Sequence, residues 1–138
     1  MSRAKTSPSD ATTEVVNPAA TEDLTPQFKL RMRATQGEVI AIGPGKIALL
    51  EALDEAGSIT AAAKALGMSY RRAWLLIDEL NQSLREPAVA TAAGGAQGGG
   101  SALTKSGRAL VALYRRIEAQ ALSHCAGDIR KLMKMLAE

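Results

Sequence analysis

Residues 57–80 read GSITAAAKALGMSYRRAWLLIDEL, and this stretch decides the fold. Ser58 and Ser69 each stand directly before a run that suits a helix. A serine in that position caps the first backbone N–H groups of a helix, so the pattern predicts helices over 59–66 and 69–84. Gly67 lies between them and permits the positive φ of a tight turn. The stretch therefore predicts a helix-turn-helix.

The second of these helices has an unusual order of charges. Arg71 and Arg72 fall in its first turn, where the helix dipole disfavours cations. A first turn that meets phosphates or base edges explains this order, and two merely solvated arginines are the alternative. Tyr70 and Trp74 are four residues apart, so either ring could stack on sugar or base, while Trp74 could instead brace the helix against a neighbouring element. The pattern favours contact with DNA.

Upstream of this stretch the sequence predicts a small sheet and one helix. Apolar and basic residues alternate over 28–33, which predicts a strand, and 38–42 is a candidate partner after the turn at Gly37. A helix is expected from about Pro44 to Gly57, with an apolar stripe on its buried face. That stripe consists of Ile47, Leu50 and Leu53.

Downstream, two short strands are predicted at 88–91 and 101–103, joined by the glycine-rich stretch 94–100. This hairpin is interpreted as a wing with a mobile tip that lays Gln97 and backbone N–H groups along DNA. A long helix follows from Thr104 towards Glu138, and Asp128 is expected to cap a new segment after a kink. Its surplus apolar face predicts a homodimer. That face consists of Leu110, Leu113, Tyr114 and Ile117.

Residues 37–122 resemble the DNA-binding domain of the ModE family of molybdate-responsive regulators, which are relatives of the LysR-type winged helices. The resemblance lies in SYRRAW at 69–74, in the glycine-rich wing and in the Leu103-Thr104 pair before the long helix. It implies a homodimer on a palindromic operator, with residues 69–72 in the major groove. Arg stands where the family pattern has Lys, and no molybdate-binding domains follow. The predicted DNA-binding residues are Ser58, Thr60, Ser69, Tyr70, Arg71, Arg72, Trp74, Gln97 and Lys105.

The expected fold class is thus mainly α with a small β component, a winged helix-turn-helix with a long carboxy-terminal dimerisation helix. Residues 1–26 are rich in Ser, Thr, Pro and Ala and are interpreted as a disordered tail or leader, leaving 27–138 as the folded domain. The tail carries −2 and the remainder +5, with 15 basic and 10 acidic residues. A lone cysteine and the lack of a long apolar run predict a cytoplasmic protein outside the membrane.

Other function classes find less support in the sequence. No Ser-His-Asp set or metal-ligand spacing is present, so neither an enzyme nor a cofactor is expected. His124 and Cys125 are adjacent and are weak candidates for a metal or redox sensor across a dimer axis. A winged helix that binds a protein partner is the other alternative. Molybdate binding is not expected from the helix after Thr104, so signals would come from abundance, a separate effector-binding protein or a weak site at His124 and Cys125.

Overall fold

The computed structural model describes residues 24–91 and 100–137. In this part of the chain short strands frame three successive helices, and two further helices follow. The fold is mainly α with a small β component, and it is the predicted winged helix-turn-helix. The elements are β1 (Ala34–Gln36), β2 (Val39–Ile42), α1 (Pro44–Ala56), α2 (Ile59–Ala65), α3 (Tyr70–Ser83), β3 (Val89–Thr91), β4 (Ser101–Leu103), α4 (Lys105–His124) and α5 (Ala126–Met133).

The boundaries of α1, α2 and α3 follow from their capping residues, as predicted. The Ser58 hydroxyl accepts a hydrogen bond from the Ala61 N–H at 3.1 Å, and that of Ser69 accepts from the Arg72 N–H at 3.1 Å. Gly57 and Gly67 adopt the left-handed region with φ of 80° and 68°. A side chain at either glycine would be strained there, so these two positions fix the turns of the motif.

The core lies where α1, α2 and α3 pack on one another and on the β3–β4 pair. Its largest fully buried side chains come from α1 and α3, and small alanines of α2 let the helices approach closely. Met68 packs against this core from the turn. Burial of each large aliphatic side chain contributes about 1.5–3 kcal/mol, so these residues hold α3 in place. The buried members of the cluster are Leu49, Leu50, Leu53, Ile59, Ala62, Ala63, Ala73, Ile77, Leu80, Ala88, Val89 and Leu103.

Strands β3 and β4 pair antiparallel, with Val89 opposite Leu103, as predicted for the base of a wing. The start of α4 is joined to this base. The Thr104 N–H donates to the Ala88 carbonyl at 2.9 Å, and the Thr104 hydroxyl donates to the Pro87 carbonyl at 2.7 Å. At Gly107 a Cβ would lie 2.1 Å from the Ala88 carbonyl oxygen, so only glycine permits this approach. The predicted wing tip falls largely on residues 92–99, outside the described residues.

The predicted strand at 28–33 is wrong. The chain is irregular there, and strand β1 begins only at Ala34, pairs antiparallel with β2 and turns at Gly37 with a φ of 61°. Because β2 ends at Ile42, opposite Ala34, residues before Ala34 have no strand to pair with. The predicted alternation of faces occurs over residues 30–33, where Leu30 and Met32 are half-buried and the arginines are exposed, but it fails at Phe28, which is exposed.

Two expectations about the carboxy-terminal helices also need correction. The helix breaks at Cys125, and Asp128 lies in the first turn of α5 and does not cap it. Tyr114 is not part of a surplus face, because it is buried and its hydroxyl donates to the Met32 carbonyl at 2.9 Å. Leu113 and Ile117, each 47% exposed, remain as the apolar outer face of α4. Within the described residues no helix is long and apolar enough to cross a membrane.

Candidate nucleic-acid interface

The first turn of α3 presents two arginines that have no ion-pair partner among the described residues. Arg71 and Arg72 are exposed, and neither forms an ion pair within the described part of the chain. The Ser69 hydroxyl is an acceptor in its cap, so its own hydrogen remains available to donate. Ala73 is fully buried on the opposite side of the helix and fixes which face points outward. This turn can therefore offer charged donors to an anion.

The structure brings four of the predicted site residues into one groove. Ser58 and Thr60 at the start of α2 lie across from Tyr70 and Trp74 on α3, and the groove encloses about 460 Å³. The ends of the wing strands, Thr91 and Ser101, form its other wall. Tyr70 and Trp74 are 52% and 45% exposed, so their rings are accessible to a ligand. Trp74 thus borders the base of the wing, as its predicted bracing role requires. Nearly half of its surface is exposed, as stacking on sugar or base requires.

A second groove runs along the other side of α3. It contains the predicted residues Ser69, Arg71 and Arg72 together with Leu75, which is 46% exposed. Glu79 is the carboxylate that borders this groove, and its side chain is engaged by the ammonium group of Lys46 on α1. Lys46 is 6% exposed and also donates to the Ile40 carbonyl. This ion pair compensates the negative charge of Glu79, so Glu79 does little to offset the positive potential of the arginines in the first turn.

Asn81 positions the start of the wing and was not among the predicted site residues. Its side-chain oxygen accepts from the N–H groups of Ala88 at 2.8 Å and Val89 at 3.2 Å, and its amide donates to the Val89 carbonyl at 3.1 Å. These three bonds tie the last turns of α3 to the first residue of β3. An asparagine beside a helix end followed by Pro87 was the available signal, since such a side chain can satisfy backbone groups of the exit loop.

The remaining predicted residues are not part of either groove. Lys105 is exposed at the first position of α4, beyond the wing strands. Gln97 lies outside the described residues. His124 ends α4, and Cys125 is an exposed free thiol at the break before α5. In the described ranges no group of three or more His, Cys, Asp or Glu side chains could hold a metal ion.

The Arg115 side chain on α4 is paired internally with two carboxylates. The Arg115 guanidinium on α4 makes a bidentate contact with Glu51 on α1, at 2.9 and 2.7 Å, and also bonds to Glu118 at 2.8 Å. The hydrogen bond from Arg115 lowers the pKa of the Glu51 carboxyl, partly opposed by burial and reinforced by the charge of the arginine. Arg115 is therefore paired, whereas Arg71 and Arg72 on α3 form no ion pair with a described residue.

Comparison with known proteins places this motif in a described family. Residues 45–108 match the bacterial regulatory helix-turn-helix proteins of the LysR family, which are not enzymes. The chain is 45% identical over 92 residues to the molybdenum transport protein ModE of Azotobacter vinelandii, covering 67% of this chain and 34% of that protein. It is 44% identical over 71 residues to the DNA-binding transcriptional dual regulator ModE of Escherichia coli K12, covering 51% and 27%.

A further relative is the molybdenum-pterin-binding protein MopB of Rhodobacter capsulatus, 45% identical over 78 residues that make up 56% of this chain and 29% of that protein. The chain thus spans about a third of the length of these relatives. The similarity covers the helix-turn-helix, the structure shows its wing strands, and the first turn of α3 has the exposed charges that such a motif uses. Residues 45–108 thus contain a helix-turn-helix of the bacterial regulatory LysR type, and the chain is similar in this region to the ModE proteins.

Proposed function

We propose that the chain regulates transcription as a homodimer that binds a palindromic operator, with α3 in the major groove and the glycine-rich wing 94–100 along the flanking DNA. The observation that carries the proposal is the first turn of α3, where Arg71 and Arg72 are exposed, unpaired in the described chain and held outward by buried Ala73. Two arginines at a capped helix start can read guanine edges or bind phosphate.

The other predicted contacts have supporting positions in this proposal. Ser58 and Thr60 at the start of α2 would bind the phosphates beside the major groove, and Tyr70 and Trp74 would contact sugar or base across the same groove of about 460 Å³. Thr91 and Ser101 border that groove, and from them the wing leaves. Gln97 and Lys105 would add contacts from the wing and the start of α4. A separate effector-binding protein is one proposed source of the signal, beside abundance and a weak site at His124 and Cys125.

The homodimer is supported by the outer face of α4. Leu113 and Ile117 are four residues apart, and with Met32, Ala34 and Ile42 they border an apolar groove of about 210 Å³. A second copy that covers this face would remove half-exposed aliphatic surface from water, which stabilises association. The two recognition helices of a dimer would then reach half-sites about 34–36 Å apart or a multiple of that distance.

The test begins with selection of bound sequences from a random DNA pool and measures affinity on the selected site by fluorescence anisotropy. Arg71→Gln should weaken binding by about 1–3 kcal/mol, roughly 5- to 150-fold, and should relax the preference at one base pair. Arg85→Gln is the matched control, because it removes the same charge just beyond the other end of α3. Wild-type specificity in Arg71→Gln and Arg72→Gln alike would contradict the assignment. A wild-type chain that selects no sequence would favour the alternative of a protein partner.

A further inference from the structure

A third cleft, of about 280 Å³, lies between the irregular segment before β1, the start of α1 and the side of α3. Arg31 and Arg33 enter it from the amino-terminal segment, and Arg72 enters it from α3. The two amino-terminal arginines precede the region that matches the helix-turn-helix family, which begins at residue 45. Neither was among the predicted site residues.

The charge in this cleft is strongly positive. Arg31, Arg33 and Arg72 form no ion pair with any described residue. The carboxylate that borders the cleft is Glu79, and it is already engaged by Lys46. Three guanidinium groups thus face one opening, and no described carboxylate that borders it is left to balance them. A surface of this kind has the charge and hydrogen-bond geometry for phosphate oxygens.

The segment that carries Arg31 and Arg33 is held in place although it forms no strand. Between them lies Met32, whose carbonyl accepts the hydrogen bond of the buried Tyr114 hydroxyl at 2.9 Å. The Arg33 stem lies close to Gly43, where a Cβ would approach its Cγ to 3.6 Å. Met32 borders the apolar groove against α4. Of its two neighbours, Arg31 borders the basic cleft and not that groove, whereas Arg33 borders both openings. The arginines are therefore placed by the fold and do not form a loose basic tail.

The cleft continues into the groove of the recognition helix. Arg72, Leu76 and Glu79 border the two openings, so one basic surface runs from the first turn of α3 to Arg31 and Arg33. All three arginines are exposed. An open surface of exposed guanidinium groups suits the phosphates of a long polyanion, whereas tight binding of a small free anion requires convergent donors in a concave, dehydrated pocket.

We propose that Arg31, Arg33 and Arg72 bind the DNA backbone beside the segment of major groove that α3 enters. This inference rests on the proposed function and deepens it, because it extends the DNA-binding surface beyond the helix-turn-helix. It also divides the two arginines of α3. Arg71, which lines the groove of α3 but not the cleft, reads bases, while Arg72 joins the phosphate-binding set.

The experiment compares the salt dependence of DNA affinity in three versions of the 138-residue chain. These are the wild type, the double variant Arg31→Gln/Arg33→Gln, and the control Arg116→Gln/Arg130→Gln, which removes the same charge from exposed positions of α4 and α5. Each is titrated with the selected site and with mixed-sequence DNA between about 0.05 and 0.2 M salt. Circular dichroism melting checks that each variant is folded.

The slope of log affinity against log salt should fall by about 0.9 for each lost phosphate contact, hence by about 1.8 in the double variant. Over that salt range the wild type would then lose roughly tenfold more affinity than the double variant. The control should keep the wild-type slope, and the preferred sequence should be the same in all three proteins.

An unchanged slope in Arg31→Gln/Arg33→Gln would overturn the inference, whatever sequence the wild type prefers. A wild type that prefers no DNA sequence would instead overturn the proposed function. The salt slope on mixed-sequence DNA would still measure whether Arg31 and Arg33 contact phosphates. A third arm adds inorganic phosphate at constant ionic strength and follows the melting temperature. A saturable rise that depends on Arg31 and Arg33, with no change of slope on DNA, would show a site for a free anion and contradict the inference.

Discussion

Helices α3 and α4 are both long and amphipathic, yet their outward faces differ in how charge is used. On α3, Arg71 and Arg72 have no partner within the described residues, and aromatic side chains stand beside them. On α4, Arg115 is held by Glu51 and Glu118, and the exposed face is aliphatic. The first turn of α3 thus presents two arginines without an ion pair in the described chain, beside accessible rings. On α4 the central Arg115 is paired beside exposed Leu113 and Ile117, although Lys105 and Arg116 form no ion pair with a described residue.

The difference teaches which macromolecule each face suits. Arginines that contact phosphates release counterions condensed on the nucleic acid, so binding of the α3 face to a polyanion is favourable. The internal pairs of α4 have no such gain available, while its half-exposed aliphatic side chains gain from being covered by another apolar face. The two faces thus differ in the way that the two proposed associations require, α3 with DNA and α4 with a second copy of the chain.

The largest effect is expected on the apolar face of α4. Leu113→Asp/Ile117→Asp should weaken the homodimer by about 3 kcal/mol or more, over a hundredfold in its dissociation constant, because four half-exposed side chains per dimer lose their burial. Sedimentation velocity at micromolar protein measures the change. A wild type that is a monomer, both free and on DNA, would contradict the proposed homodimer and the role of the α4 face in it.

A crossed control uses the other helix. Leu75 on α3 is 46% exposed, close to the value of Leu113 and Ile117. Leu75→Asp should leave the dimer intact and weaken DNA binding, because its new carboxylate would lie in the groove that contains Arg71 and Arg72. The milder variant Leu113→Ser/Ile117→Ser keeps the assembly test valid should the two aspartates prevent folding.

The next effect concerns the joint that holds α4 against the wing. Gly107→Ala places a methyl group 2.1 Å from the Ala88 carbonyl oxygen, and backbone cannot move away as a side-chain end can. Unfolding free energy should fall by about 3 kcal/mol, the upper part of the usual range for overpacking. Gly127→Ala is the control, since its nearest contact is the end of the Arg130 side chain at 3.8 Å. It should stabilise α5 by about 0.5–1 kcal/mol. Chemical denaturation measures each change, and equal stability of the two variants would refute the close contact.

Features that depend on neighbouring residues could be predicted from the sequence. Ser58 and Ser69 cap helices and Gly67 makes the turn because the chemistry of each acts within three or four residues. The first-turn position of Arg71 and Arg72 follows from the same caps. For this reason the helix-turn-helix and its charged turn were predicted correctly, down to helix ends that differ from the structure by one residue.

Features that depend on distant partners could not be predicted. Lys46 is buried because Glu79, 33 residues later, lies beside it, and Tyr114 is buried because its hydroxyl finds Met32, 82 residues earlier. The alternation at 28–33 predicted the faces of residues 30–33 but not that of Phe28, which is exposed. It predicted the wrong secondary structure, since a strand requires a partner and β2 reaches only Ala34. The basic cleft of Arg31, Arg33 and Arg72 depends on all of these contacts and has no local signature.

The smallest effect concerns the ion pair between α1 and α4. Hydrogen bonding to Arg115 lowers the pKa of Glu51 below its ordinary value of 4.5. A carboxyl whose pKa is lowered by folding stabilises the protein above the unfolded pKa, and this contribution disappears as the pH falls through the folded pKa. Glu51→Gln should therefore be less stable than the wild type at neutral pH, with the difference vanishing in acid.

The size of this difference follows from exposure. The Glu51 and Arg115 side chains are 40% and 43% exposed, so solvent screens the pair and its contribution should stay below about 1 kcal/mol. Thermal melts of Glu51→Gln, Arg115→Gln and the double variant at neutral and acid pH isolate the coupling between them. A loss of stability that persists in acid would mean that Glu51 acts through packing and not through charge. Glu51→Gln also leaves Arg115 with only Glu118, and a gain in mixed-sequence DNA affinity would show that internal pairing is what keeps α4 from binding DNA as α3 does.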